Sequence, residues 1–180
     1  MTPELDAEYQ QLKSGTGFVS IEDHGFLKLS GKDRRKFLHN FCTADINQLN
    51  EGHVTEAFVL DNKGRTLSFG HVISLPECLV FTFAGSANSS SLLEHFDKYI
   101  IMDDVTIDDM SQIWSSCFFS DNAEIEGLDS SLAFNQAKIV NSLNFAKIEL
   151  AGNGWLVFGA KEELEQKTGQ WLQKSRPGIY

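Results

Sequence analysis

No apolar run in this 180-residue chain approaches the roughly 18 residues a membrane-spanning helix requires, so no membrane partner is expected. Basic charge is scarce. Lys and Arg number 15 against 25 Asp and Glu, for a formal net charge of −10. A protein that tracks a phosphate backbone needs a basic stripe, so nucleic acid is not expected either. Cys42, Cys78 and Cys117 are far apart, odd in number and without C-x-x-C spacing. His39 lies near Cys42, but no second ligand pair joins them, so neither a metal site nor a disulfide is expected. The five histidines are scattered, no Ser or Cys has the surroundings of an activated nucleophile, and the glycines are not gathered into a phosphate loop. The opening MTPELDAEYQ is acidic and polar, unlike a secretory or mitochondrial leader, which makes the cytoplasm the expected location.

What is present is ordinary for a globular protein: 42% hydrophobic and 22% charged residues. The length suffices for one substantial core, or for two half-domains sharing one. Acids crowd one region, with Asp103, Asp104, Asp108, Asp109, Asp121, Glu124, Glu126 and Asp129, and read as a solvated surface. Lys32, Arg34, Arg35 and Lys36 form the one basic cluster. It falls early in a predicted helix, where the dipole disfavours cations, and reads as an exposed face or a small anion site.

Alternation predicts strands at about residues 17–23 and 25–30, a helix over 32–42, and strands at 54–60, 65–74 and 78–84. Ser30 and Asp33 have capping-box spacing, and Phe37, Leu38 and Phe41 share a helical face. A second helix over about 88–101 carries Leu92, Leu93, Phe96, Tyr99 and Ile100 at helical spacing. The order then restarts. Strands are expected near 105–108 and 113–119, a short helix within 122–136, strands near 138–141, 145–150 and 155–158, and a helix over 161–174. That last helix has acids in its first turn and an apolar face of Leu164, Trp171 and Leu172. Two β2-α-β3-α halves, about 17–102 and 103–180, give an α+β fold preceded by an extension over residues 1–16.

Three motifs fall on these elements in order: Gly31/Asp33 after a strand, Thr43/Asp45 after a helix, and Asp61/Lys63/Gly64/Arg65 in a tight turn between strands. Their order and spacing resemble the folate-binding domain of glycine-cleavage T-proteins (aminomethyltransferases) and their YgfZ-type relatives. The similarity continues through Lys98, Tyr99, Ile100, Val105, Ile107 and Asp109 and, weakly, to Arg176-Pro177-Gly178. The resemblance implies one folate-binding-type domain built from the two halves, with tetrahydrofolate as its expected ligand. The residues that could hold it are Asp45, Lys63, Arg65, Asn88, Tyr99 and Arg176. Lys63 and Arg65 could receive a carboxylate tail, or be merely solvated. Asp45 could bind a donor-rich ring or cap a loop amide, and Asn88 could face the ligand or cap a helix.

Departures from the family pattern shape the expected function. Aminomethyl-transferring members carry Asp four to five residues after the Gly of the turn, where this chain has Ser68 and Phe69. A carboxylate orients and stabilises a developing ammonium through its charge, which neither a hydroxyl nor a phenyl ring carries. The pterin-gripping Glu is replaced by Arg176, which only donates. The family's reactive-Cys segment and C-terminal barrel are not found in this sequence. These differences imply a shortened, non-catalytic YgfZ-like protein with no catalytic residues assigned. It would act as an accessory factor in one-carbon metabolism or iron–sulfur enzyme maintenance. The alternative is a ligand-free module that binds a protein partner, and a one-carbon transferase is a distant third.

Overall fold

The computed structural model describes Gln10, residues 18–121, Ala123, and residues 132–150 and 152–174. Among these, the strands are β1 (Phe18–Ile21), β2 (His24–Ser30), β3 (Val54–Leu60), β4 (Thr66–Ser74), β5 (Leu79–Ala84), β6 (Thr106–Asp109), β7 (Trp114–Ser120), β8 (Ala137–Val140), β9 (Leu143–Glu149) and β10 (Asn153–Ala160). The helices are α1 (Arg34–His39), α2 (Ser89–Asp97) and α3 (Lys161–Lys174), with short 3-10 turns at Ile46–Gln48 and Ser86–Asn88. The fold is α+β, with two five-stranded sheets ordered β3-β4-β5-β2-β6 and β1-β7-β10-β9-β8. The chain divides into two units, Asp23–Ile113 and the segments on either side of it. The helix expected within 122–136 falls mostly outside the described residues.

The strand order of the two expected halves is present among the described residues, with one addition. Each half lends its first strand to the other half's sheet: β1 pairs antiparallel with β7, and β6 pairs antiparallel with β2. Sequence periodicity marks which residues are strands but carries no information on which edge they join.

In the unit Asp23–Ile113, the core is built where alternation meets helical spacing. Leu27, Leu29, Ala57, Val59, Val72, Leu79, Phe81 and Phe83 line one sheet face. Phe37 and Leu38 of α1 and Leu92 and Phe96 of α2 pack against them. The aromatic rings interlock, with Phe37 and Phe41 at 6.0 and 5.5 Å from Phe96.

Helix α1 is shorter than its periodicity suggests, and the reason lies at both ends. The expected Ser30/Asp33 capping box is not formed. Asp33 precedes the first helical residue and makes no cap bond; its carboxylate instead accepts the Asp104 amide at 2.8 Å. Gly31 belongs to the same clasp, because a Cβ there would sit 2.2 Å from the Asp104 carbonyl oxygen, and its φ of +93° suits only glycine. At the other end Phe41 leaves the helix to accept the Leu60 amide at 2.8 Å. Most of the basic cluster is engaged within the chain. Arg34 donates to the Gly31 carbonyl and Arg35 to Ser74 Oγ and the Leu49 carbonyl, while Lys32 and Lys36 face Asp104 and Asp103 at 3.6 and 3.8 Å.

The other unit stacks α3 on its sheet through Leu164 and Trp171, whose ring meets Phe119 and Phe145 at 5.5 and 6.2 Å. The side chain of Leu172 lies outside the described ones. Lys147 pairs with Asp121 at 2.9 Å and lies 5.1 Å from the Trp155 ring centre.

Because Phe96 is fully buried between α1, α2 and the sheet, its replacement by Ala should cost about 3–5 kcal/mol. Urea unfolding measures this; a loss below about 1 kcal/mol would mean that α2 does not seal this core.

Candidate functional site

Strand β3 is an edge strand, and two of the three motifs are fastened to it. The T-x-D segment lies alongside: the Thr43 amide donates to the Phe58 carbonyl, and the Phe58 amide donates back to Thr43 Oγ1, both at 3.0 Å. Cys42 forms a bridge with Val59. Asp45 follows at the start of the 3-10 turn, exposed, with a carboxylate oxygen 3.5 Å from His39 Nδ1.

The third motif joins β3 to β4 and is organised by Asp61. Its carboxylate accepts from the amides of Lys63 and Arg65 at 2.8 and 2.9 Å and from the Arg65 guanidinium at 2.7 Å. The Arg65 amide, opposed by burial and reinforced by its guanidinium and the Lys63 amide, holds this carboxyl down at about 2. Gly64 turns the chain at φ +75°, with open space around its Cβ position. Arg65 is therefore committed to Asp61, whereas the Lys63 side chain is exposed and faces no carboxylate within ion-pair distance among the described residues.

Asn88 occupies the first position before α2, but its side chain makes no cap hydrogen bond. The neighbouring loop is held instead by Asp23, whose carboxylate accepts from the amide and hydroxyl of Ser86, both at 2.7 Å. Tyr99 closes α2 with its ring 5.1 Å from Phe41 and 5.3 Å from His95, half in an aromatic cluster and half in solvent. Arg176 lies outside the described residues. The structure thus ties Asp45 and the Lys63/Arg65 turn to the two flanks of β3, and sets Asn88 and Tyr99 at opposite ends of α2.

Sequence reasoning missed a row on the sheet face turned away from the helices. Register places Glu56 opposite His71, and His71 opposite Thr82. Glu56 Oε1 is 3.8 Å from His71 Nε2, and Thr82 Oγ1 meets His24 Nε2 at 2.5 Å. Burial lowers the pKa of His71, with Glu56 opposing, and burial together with the His71 charge takes His24 down to about 4. Beside this row Phe58 and Phe69 face each other across the strands with centroids 4.6 Å apart, each 44% exposed. The turn at Asp61–Arg65 does not by itself give this register, because the pairing shifts by one residue between Val59 and Leu60. The histidines are scattered in sequence and gathered only by pairing.

Phe69, one of the two positions where the resemblance implies a carboxylate, is thus paired with Phe58. Residues 1–118 match the GCVT N-terminal domain, about two thirds of the chain. The chain belongs to that family. A chloroplast protein of Arabidopsis thaliana, described as a "putative transferase", is 28% identical over 116 residues, which is 64% of this chain and 26% of that protein. The structure of glycine cleavage system aminomethyltransferase T from Bartonella henselae superposes with a TM-score of 0.74 at 12% identity, over 93% of this chain and 48% of that one. A chain of the heterotetrameric sarcosine oxidase from Corynebacterium sp. U-96 superposes with a TM-score of 0.57 at 12% identity, over 100% and 98%. The chain thus spans about a quarter of the plant relative and half of the aminomethyltransferase. Asp45, Lys63, Arg65, Asn88 and Tyr99 fall within the segment matching the GCVT domain, and Arg176 falls outside it.

Among the described residues no cluster of three or more His, Cys, Asp or Glu could hold a metal, and no helix is long and apolar enough to cross a membrane.

The His24 imidazole should titrate near pH 4 rather than 6.5 in the folded protein, followed by its ring proton shifts. Between those values the unfolded chain binds the extra proton, so stability is complete above about pH 6.5 and falls as pH drops toward 4. A His24 resonance titrating near 6.5 would show that water reaches the row.

Proposed function

We propose that this GCVT-family chain binds a reduced folate without performing aminomethyl transfer. It would serve as a cytoplasmic accessory protein in one-carbon or iron–sulfur enzyme maintenance, like the YgfZ-type proteins it resembles. The observation that carries the reading is the Phe58–Phe69 pair. Phe69 stands at a position where the resemblance implies a catalytic carboxylate, and its ring is engaged with Phe58 on an exposed face. Such a surface can stack a flat ring but cannot accept a proton, and it offers an ammonium only a cation–π contact in place of a carboxylate's full charge. Ser68, the other replaced position, offers a hydroxyl only.

A second reading, a protein-interaction module, rests on Ile101 and Met102, which are 84% and 92% exposed. The heterotetrameric sarcosine oxidase adds support, since a chain of similar extent and fold works there inside an assembly. The acidic region supports it less, because Asp103 and Asp104 face Lys36 and Lys32, and Asp121 faces Lys147.

Calorimetry with tetrahydrofolate should show binding at micromolar to sub-millimolar ligand. Lys63→Ala should weaken it about two- to fivefold and flatten its salt dependence, as expected for an exposed ion pair. Arg65→Ala should do so less, because its guanidinium already serves Asp61. Absence of heat at millimolar tetrahydrofolate hands the function to the interaction module.

With the same ligand present, an aminomethylated amine donor should release no one-carbon unit. Turnover above a heat-killed control would show that another acid supplies the missing charge, and would restore the transferase reading.

A further inference from the structure

The β3–β4 face carries unfilled binding capacity beyond its aromatic pair. The Glu56 side chain is 61% exposed, and its carboxylate accepts no hydrogen bond among the described residues. Its charged-type neighbour among the described residues is His71, 3.8 Å away, whose ring is almost fully enclosed while the Glu56 carboxylate faces outward. Glu56 and Phe58 are two residues apart on one strand and share a face, which separates them by about 7 Å. A ring lying over Phe58 and Phe69 therefore has one edge within reach of the Glu56 oxygens. In the other direction along β3, about 10 Å beyond Phe58, the chain enters the turn at Asp61 and Lys63. There Asp61 is spent on the turn and on Arg65, leaving the Lys63 ammonium as the available cation.

The face is thus polar in a definite sense: acceptor at one end, stacking surface in the middle, cation at the other end. We propose that Glu56 is the ring-reading residue of this chain, with Phe58 and Phe69 as its stacking platform. The ligand is a planar nitrogen heterocycle that presents adjacent N–H donors to Glu56 and carries an anionic tail toward Lys63. This rests on the folate-binding reading and deepens it. It supplies the acceptor that Arg176 cannot provide, and it fixes the orientation of the ligand along β3. A carboxylate takes two parallel N–H bonds from such an edge, as it does from a guanidinium, and repels a ring edged with acceptors. Stacking on a Phe pair is indifferent to ring identity, so discrimination falls on Glu56.

The test separates the two ends of the ligand. Wild-type protein, Glu56→Gln and Phe69→Leu are titrated by calorimetry with tetrahydrofolate, with 6-methyltetrahydropterin as the ring alone, and with p-aminobenzoylglutamate as the tail alone. Glu56→Gln should weaken tetrahydrofolate and the pterin at least tenfold and leave the tail fragment within twofold of wild type. Phe69→Leu keeps an apolar side chain but loses the platform, and should weaken the same two ligands about fivefold or more. Both positions are exposed, and unchanged melting temperatures confirm folded variants. If tetrahydrofolate binds and Glu56→Gln is indistinguishable from wild type, the assignment of Glu56 is wrong while folate binding stands. If the pterin binds in a Glu56-dependent way and tetrahydrofolate does not, the ring site stands and the folate reading falls. If neither ring-bearing ligand binds wild type at millimolar concentration, the proposal is overturned.

Discussion

The register between β3 and β4 is the constraint on which the rest of this unit depends. Side chains alternate along a strand, so one pairing decides both faces at once. With Ala57 opposite Gly70 and Val59 opposite Ser68, Ala57, Val59 and Val72 enter the helix-covered core. The same pairing sends Glu56, Phe58, Phe69 and His71 to the other face. A slip of β3 by one residue would turn Glu56 and Phe58 toward the core and Ala57 and Val59 away from it, while Val72 stayed in place against β5. The apolar core thus selects the arrangement that assembles the candidate site.

That register is held from both ends. At the turn, the Asp61 carboxylate gathers the amides of Lys63 and Arg65 and the Arg65 guanidinium, and Gly64 allows the reversal. A shift between Val59 and Leu60 absorbs the mismatch where the strands leave the turn. On the outer flank, residues 41–43 pair with Val59, Leu60 and Phe58 and cover the open edge of β3. Arg35 adds a tie from α1 to Ser74 at the far end of β4. Motifs that resemble ligand-binding signatures in sequence act first as fasteners of this pairing. Gly31 and Asp33 do the same for the segment before β6, through their contacts with Asp104.

This division explains what could be read from the sequence. Strands such as Val54–Leu60, and helix α3 over Lys161–Lys174, follow from local periodicity, and their observed bounds coincide with those expected. The ends of α1 do not, because they are set by Asp104 and Leu60, partners 71 and 19 residues away from Asp33 and Phe41. The exchange of β1 and β6 between sheets is likewise invisible to alternation, which has no term for strand order. Of the candidate site, Lys63, Arg65 and Asp45 were legible as motif residues, but their commitments were not. Arg65 looks the same in sequence whether it faces a ligand or Asp61.

The row Glu56–His71–Thr82–His24 was the least legible part, and its chemistry is the least local. Each member is unremarkable in its own strand, and each acquires its character from a neighbour on another. Burial lowers the pKa of His71 because β4 lies inside the sheet, and Glu56 is open because β3 lies at its edge. A buried polar group is tolerated where it meets another, so the row is stable only while all four strands keep their register. The arrangement of the face is therefore a property of the pairing. A variant that disturbs Asp61 should perturb Glu56 five residues away before it unfolds anything, because the turn and the acceptor share one strand.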